Sequence, residues 1–184
     1  MKISHTKRVK RFYVNYFSGF SLHGEENLFK GYLKKSEYCV VGFSFGAQKA
    51  FESVYQTTQR VDRLILLSPA FFQTQKASFI RAQLRYFETN QEAYIKQFLQ
   101  NVSYPSNIDL SHYLDLGSKK ELESLLTYHW DVKKLKEIQQ RGTIIEVFLG
   151  GKDKVIDSHA ALDFFNDVTT YFIKDAGHLL KEQP

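Results

Sequence analysis

The chain has 184 residues, 43% of them hydrophobic, which suits one domain with a sizeable core and argues against a second. Its formal net charge of +5 comes from the start of the chain, where Lys2, Lys7, Arg8, Lys10 and Arg11 stand without an acid; without them 20 Lys+Arg face 20 Asp+Glu. That balance argues against a nucleic-acid-binding face, no stretch approaches the roughly 18 apolar residues of a membrane span, and a single cysteine, Cys39, allows neither a disulfide framework nor a thiolate zinc cluster.

Residues 1–11 therefore read as a basic N-terminal extension to one domain, 12–184. The run Phe12 to Phe17 after them is a poor secretion signal, being short, interrupted by Asn15 and followed by no small-residue cleavage site. A cytoplasmic protein is the simplest reading. Arg11 to Phe17 reads instead as a first strand, ending in Phe17-Ser18-Gly19-Phe20-Ser21, and Glu25 to Lys35 can form a helix.

Tyr38-Cys39-Val40-Val41 is the next strand and leads into Gly42-Phe43-Ser44-Phe45-Gly46, followed by a helix to about Gln59. This is the G-x-S-x-G nucleophile elbow. Ser44 sits at the apex of a strained strand-to-helix turn, and small residues two before and two after let strand and helix approach closely. Val61 to Leu67 is a buried-type strand ending at Ser68-Pro69, so the pattern is βαβ with a parallel sheet.

From about Phe71 to Arg141 the strand signal disappears. Residues 76–99 carry Phe79, Ile80, Leu84, Phe87, Tyr94, Ile95 and Phe98 in helical period, and further helices are expected over 119–127 and 132–140. A helical block inserted between two strands of a parallel sheet reads as a lid over the strand ends. Thr143 to Leu149 resumes the sheet and stops at Gly150-Gly151-Lys152-Asp153; Asp157 or Ser158 can cap a helix to about Phe165, and Thr169 to Ile173 is the last strand, before Asp175-Ala176-Gly177-His178.

Catalysis by a serine hydroxyl needs a base and an acid that holds the base in the right tautomer. Ser44, Asp153 and His178 occur in the order Ser, Asp, His, each in a loop just past a strand, at one edge of the sheet. Asp157 and Asp175 compete for the acid's place and His23 for the base's. Asp157 has a second use as a helix cap, and Asp175 is too near His178 to orient it easily. The oxyanion needs two backbone N–H donors, which Phe45 and Phe20 can present, with His23-Gly24 as a competing register for the second. The aromatic content of 15% is enough to line a pocket as well as fill a core.

FSGF at 17–20, GFSFGA at 42–47, GGKD at 150–153 and AGHLL at 176–180 together resemble the α/β-hydrolases, and more narrowly the short pimeloyl-[acyl-carrier-protein] methyl ester esterases of biotin synthesis. The resemblance implies a carboxylic ester hydrolase that cleaves the methyl ester of a pimeloyl chain on acyl carrier protein, with Ser44 as nucleophile, His178 as base, Asp153 as its partner, Phe20 and Phe45 as oxyanion donors, and no cofactor or metal. Ser18 stands where larger relatives have histidine. Only 21 residues separate Phe20 from Gly42, too few for another strand and crossover helix, so a reduced α/β-hydrolase sheet of about five mainly parallel strands is expected. In the inserted block, residues 71–87 hold Lys76, Arg81 and Arg85 and no acid, with Arg81 and Arg85 one helical turn apart, a face suited to an acidic carrier protein. The same three catalytic residues also fit a thioesterase or a small-ester carboxylesterase. A non-catalytic hydrolase-fold binder is a further alternative.

Overall fold

In the computed structural model residues 15–34 and 36–184 are described; the basic extension and residues 11–14 of the expected first strand lie outside them. Five strands form one sheet: β1 (Asn15–Phe17), β2 (Cys39–Phe43), β3 (Arg63–Leu67), β4 (Ile144–Gly150) and β5 (Thr169–Ile173). They lie side by side in chain order, every neighbouring pair parallel. Parallel strands need crossovers, and helices over both faces make the central strands read as unbroken apolar runs. CVVGF of β2 is buried at every position. Successive side chains leave for opposite faces. Val40, Leu64 and Leu66 join one apolar cluster with Phe51, Val54, Leu122 and Leu125, while Val41, Phe43, Ile65 and Leu67 join the other with Phe29 and Leu179.

Helix α1 (Phe45–Gln56) starts directly after Ser44 and ends where Thr57 turns extended, three residues short of the expected end; the β-branched pair Thr57-Thr58 does not prolong it. The segment after β1 also departs from expectation. It forms only a 3₁₀ turn, Glu25–Phe29, entered through left-handed Gly24 (φ 77°), and Gly31 does not favour propagation into an α-helix.

Between β3 and β4 run α2 (Ala77–Thr89), α3 (Gln91–Ser103), α4 (Lys119–Thr127) and α5 (Val132–Gln140). The expected single helix over 76–99 is two. Asn90 is extended (φ −157°, ψ 92°); its N–H donates to the Tyr86 carbonyl, closing α2, and its side chain accepts from Ala93 N–H, opening α3. α4 and α5 span the expected residues, α4 behind a Ser118–Glu121 capping box. After β4, Asp157 caps α6 (Ser158–Phe164), as its sequence position suggested.

The helical block shares the apolar cluster on the α1 face of the sheet, and a few polar side chains fix it there. Gln48 Nε2 of α1 donates to the carbonyls of Ala70 (3.0 Å) and Leu125 (3.1 Å), and Trp130 Nε1 donates to Ala70 O (2.9 Å). Phe20 lies edge-on to Phe98 of α3, centroids 5.6 Å apart, and tilted against Phe87 of α2 at 6.3 Å.

Candidate active site

The register puts Phe17 beside Gly42, Phe43 beside Leu67, Leu67 beside Phe148 and Gly150 beside Ile173, so the loops after all five strands open at one edge. Ser44 begins its loop with φ 54° and ψ −115°, a conformation that costs a non-glycine residue about 1–3 kcal/mol. The surroundings hold it there. Its N–H donates to Leu67 O (2.9 Å), and its carbonyl accepts from Ala47 N–H (3.0 Å) and Ala70 N–H (3.1 Å). A Cβ on Gly42 would overlap the Gly46 carbonyl, and one on Gly46 the Phe17 carbonyl, so only glycine allows this approach of strand, helix and first loop.

His178 reaches the same point from the loop after β5. Its Nε2 lies 2.9 Å from Ser44 Oγ and its Nδ1 2.6 Å from Asp153 Oδ2. Both His178 and Asp153 side chains are fully buried, and Ser44 is 1% exposed. An ionised carboxylate only accepts, so Asp153 Oδ2 draws the imidazole proton to Nδ1 and leaves Nε2 to accept from the Ser44 hydroxyl. Asp153 Oδ1 is itself held by Val155 N–H (2.7 Å) and Ile156 N–H (3.1 Å), so each carboxylate oxygen has a fixed task. The two loops are tied by backbone bonds from Gly151 N–H to Ile173 O and Lys152 N–H to Ala176 O, both 2.9 Å.

The rivals stand elsewhere. Asp157 is exposed and spends its carboxylate on Ala160 N–H (3.0 Å). Asp175 is exposed and pairs with Lys152 at 2.8 Å, which holds its carboxyl below the usual range. His23 is exposed, and its N–H donates to Tyr113 O (2.8 Å). By contrast, the N–H of Phe45, first residue of α1, and that of Phe20 have no acceptor among the described residues. Lys76, Arg81 and Arg85 are exposed at the start and on the outer face of α2, apart from the buried Ser44, and none is in an ion pair among the described residues.

Three supporting side chains escaped the sequence reading. Ser68, itself at φ 40°, donates its hydroxyl to the His178 carbonyl (2.7 Å) and so fixes the base from β3. Gln48 ties α1 to the helical block. Glu25 is 0% exposed, and its Oε1 accepts from Gly19 N–H (2.8 Å) and the Tyr16 hydroxyl (3.1 Å). The Ser68-Pro69 strand end was a signal for the first; nothing local marks an inward-turned Glu25 at the start of a short turn.

No family model matches the chain, and no curated protein matches its sequence. Solved structures do. BioG from Haemophilus influenzae is 12% identical, with 89% of this chain and 87% of that one covered at a TM-score of 0.56. BpoC from Mycobacterium tuberculosis is 13% identical, with 90% and 84% covered at 0.57. The naproxen esterase (carboxylesterase NP) of Bacillus subtilis is 20% identical, with 77% and 53% covered at 0.51. This chain spans between 53% and 59% of the length of several of the hydrolases and esterases it matches. With its five parallel strands, its elbow serine between β2 and α1 and these structural neighbours, the chain has the α/β-hydrolase fold.

Proposed function

We propose that the protein is a carboxylic ester hydrolase working through a covalent acyl-enzyme on Ser44. The observation that carries this reading is the unbroken chain from Ser44 Oγ through His178 to Asp153, at 2.9 and 2.6 Å, on a strained elbow. His178 Nε2 takes the hydroxyl proton as Oγ attacks the ester carbonyl, and Asp153 stabilises the imidazolium. The oxyanion lies against the N–H groups of Phe45 and Phe20. The proton passes from Nε2 to the leaving alkoxide, which departs as the alcohol. Water then repeats the cycle on the acyl-enzyme and restores free Ser44.

For the substrate we propose the methyl ester of a pimeloyl chain on acyl carrier protein, with methanol as the released alcohol. The sequence resemblance favours it, and the near-complete mutual coverage with BioG agrees with a reduced frame of that kind. The exposed basic side chains Lys76, Arg81 and Arg85 favour an acidic partner docked on α2, with residues 71–141 acting as the lid. Because Ser44 is buried, side chains at this boundary must give way to admit an acyl chain. A groove of about 470 Å³ between α2 and α3, lined by Tyr86, Tyr94 and Phe98, ends one ring away from Phe20 and is the candidate path.

The fold also suits a thioesterase or a carboxylesterase for small esters, since a triad reports acyl transfer and not which acyl group is transferred. Incubation with methyl pimeloyl-carrier protein, read by mass, distinguishes them. Loss of one methyl ester with the carrier linkage intact supports the proposed substrate; release of the whole acyl chain from the carrier makes the protein a thioesterase. No reaction there, but turnover of p-nitrophenyl butyrate, leaves a small-ester hydrolase. Failure of a fluorophosphonate to label Ser44 would remove the hydrolase reading altogether and leave a binding protein.

A further inference from the structure

Among the described residues Glu25 is the one carboxylate that the fold buries as deeply as that of Asp153, at 0% exposed, and the chemistry above gives it no task. It enters the core from the first position of the 3₁₀ turn and meets the loop between β1 and that turn. Its Oε1 takes two hydrogen bonds, from Gly19 N–H at 2.8 Å and from the Tyr16 hydroxyl at 3.1 Å; its Oε2 is buried with no partner among the described residues.

What Glu25 holds is specific. Gly19 directly precedes Phe20, whose N–H faces no acceptor among the described residues, and Tyr16 is the residue before the end of β1. Burial first, and the Glu25 carboxylate second, push the Tyr16 phenol far above its usual range, so it stays a donor. The loop is wedged on its other sides: a Cβ on Gly19 would press the Phe43 ring, and the Phe17 and Ser18 carbonyls lie against Gly46. Phe20's ring in turn is fixed by Phe87 and Phe98. One carboxylate oxygen thus ties the Ser18–Gly19 peptide to the Tyr16 side chain of β1, one peptide before the unpartnered Phe20 N–H, and Leu22 N–H holds the Gly19 carbonyl (3.3 Å) beyond it.

We infer that Glu25 is a positioning residue for the second oxyanion donor, acting as a hydrogen-bond acceptor that fixes the Ser18–Gly19 peptide, next to the one that carries Phe20 N–H. This rests on the ester-hydrolase reading and deepens it. Without the clamp the Ser18–Gly19 peptide can rotate and turn the adjoining Phe20 N–H with it, and the transition state loses a donor that the bound ester does not yet need, so kcat falls while KM does not.

The test compares Glu25→Ala, Glu25→Gln and wild type on p-nitrophenyl butyrate, with thermal melting alongside. Both variants should melt lower, since the glutamine puts an NH₂ where Oε2 already lacks a partner. Only Glu25→Ala should lose kcat, by about 100-fold, the scale of a misplaced catalytic group, with KM little changed. Glu25→Gln keeps an acceptor at Oε1 and should stay within about threefold of wild type in kcat, since the donor keeps its place. A trifluoromethyl ketone, which places its own oxyanion in the hole, should lose affinity for Glu25→Ala in parallel with kcat/KM. If Glu25→Ala does not fold, Glu25→Asp, whose shorter arm cannot reach Gly19 N–H, replaces it. Unchanged kcat in a folded Ala or Asp variant, or a loss in Glu25→Gln as large as in Glu25→Ala, overturns the inference while the hydrolase reading stands. A wild-type protein that neither turns over the ester nor takes a fluorophosphonate at Ser44 overturns the hydrolase reading itself, and this inference with it.

Discussion

The sheet edge and the helical block that rests on it are held by different means. At the edge, backbone touches backbone: Gly42 against the Gly46 carbonyl, Gly46 against Phe17, Gly150 against the carbonyls of Ala176 and Gly177; one such contact, Gly177 against the Tyr104 carbonyl, reaches the block. Among these contacts the serine is held in a strained conformation by three backbone hydrogen bonds, from its N–H to Leu67 O and to its carbonyl from Ala47 and Ala70 N–H. The block is built from side chains. Of α2 only Phe87 is buried, and of α3 only Ile95 and Val102, while Lys76, Arg81 and Arg85 face solvent. A backbone-defined region has no slack and tolerates few substitutions; a side-chain-defined one can shift, repack and change its charges without disturbing what lies beneath. On the proposed ester-hydrolase reading, chemistry belongs in the first and recognition in the second.

The sharpest way to test that division is at the edge. Ser44→Ala and His178→Ala should each lower kcat for p-nitrophenyl butyrate by about 10⁴-fold or more, with unchanged far-ultraviolet circular dichroism. Because the two act as one unit, the double variant should be scarcely worse than either. Substantial turnover by Ser44→Ala would place the chemistry elsewhere. Next in size comes Asp153→Asn, which leaves the shape but reverses the hydrogen-bond preference at His178 Nδ1, at a cost of about 10⁴-fold in kcat. Asp157→Asn, four residues on, should do almost nothing, since asparagine caps α6 as well. If the two results were exchanged, the acid would be Asp157 and the 2.6 Å contact incidental.

A smaller effect, of a different kind, is expected of Gly46→Ala. Its new methyl group meets the Phe17 carbonyl. Overpacking of this sort costs about 1–3 kcal/mol, read as a lowered midpoint in urea. The same push displaces the loop bearing Phe20 from the elbow, so kcat should fall even in the folded fraction. A methyl group at an exposed helix position such as Ser78→Ala should cost neither stability nor activity. Loss of stability without loss of kcat in Gly46→Ala would mean that the loop position and the oxyanion hole are not coupled.

How much of this was readable from residues alone follows the same division. The grouping of Ser44, Asp153 and His178 was legible because each lies in a loop after a strand, and the three side chains do converge. β2, β3 and β5 were legible as apolar or β-branched runs, and α4 and α5 through their period. The break at Asn90 was hidden because apolar spacing continues across it while one residue turns extended and caps the helix that follows. The 3₁₀ turn at 25–29 was misread as a longer helix, since periodicity does not report that Glu25 points inward. Glu25 and Ser68 were missed for one reason: they bond to backbone atoms, Gly19 N–H and the His178 carbonyl, and a backbone partner leaves no mark in the sequence.

The smallest expected effect lies in the block, and it is confined to one class of substrate. Arg81 and Arg85 stand one turn apart on the exposed side of α2, and residues 71–87 contain no acid to neutralise them. Replacing both by glutamate should raise KM for methyl pimeloyl-carrier protein by about tenfold, because rim charges act on encounter and docking more than on chemistry. kcat should hold, since the sheet edge is untouched. An uncharged small ester gains nothing from the basic face, so its kcat/KM should change little. Salt separates docking from fold: raising ionic strength from 0.01 to 0.15 M shortens the screening length from about 30 to about 8 Å and should slow wild-type turnover of the carrier substrate, while the double variant, with no attraction left to screen, should not slow. Equal losses on both substrates would mean that the two arginines support the helical block itself. The difference between the regions would then be one of degree, and the acidic carrier would lose the one structural feature of this chain that speaks for it.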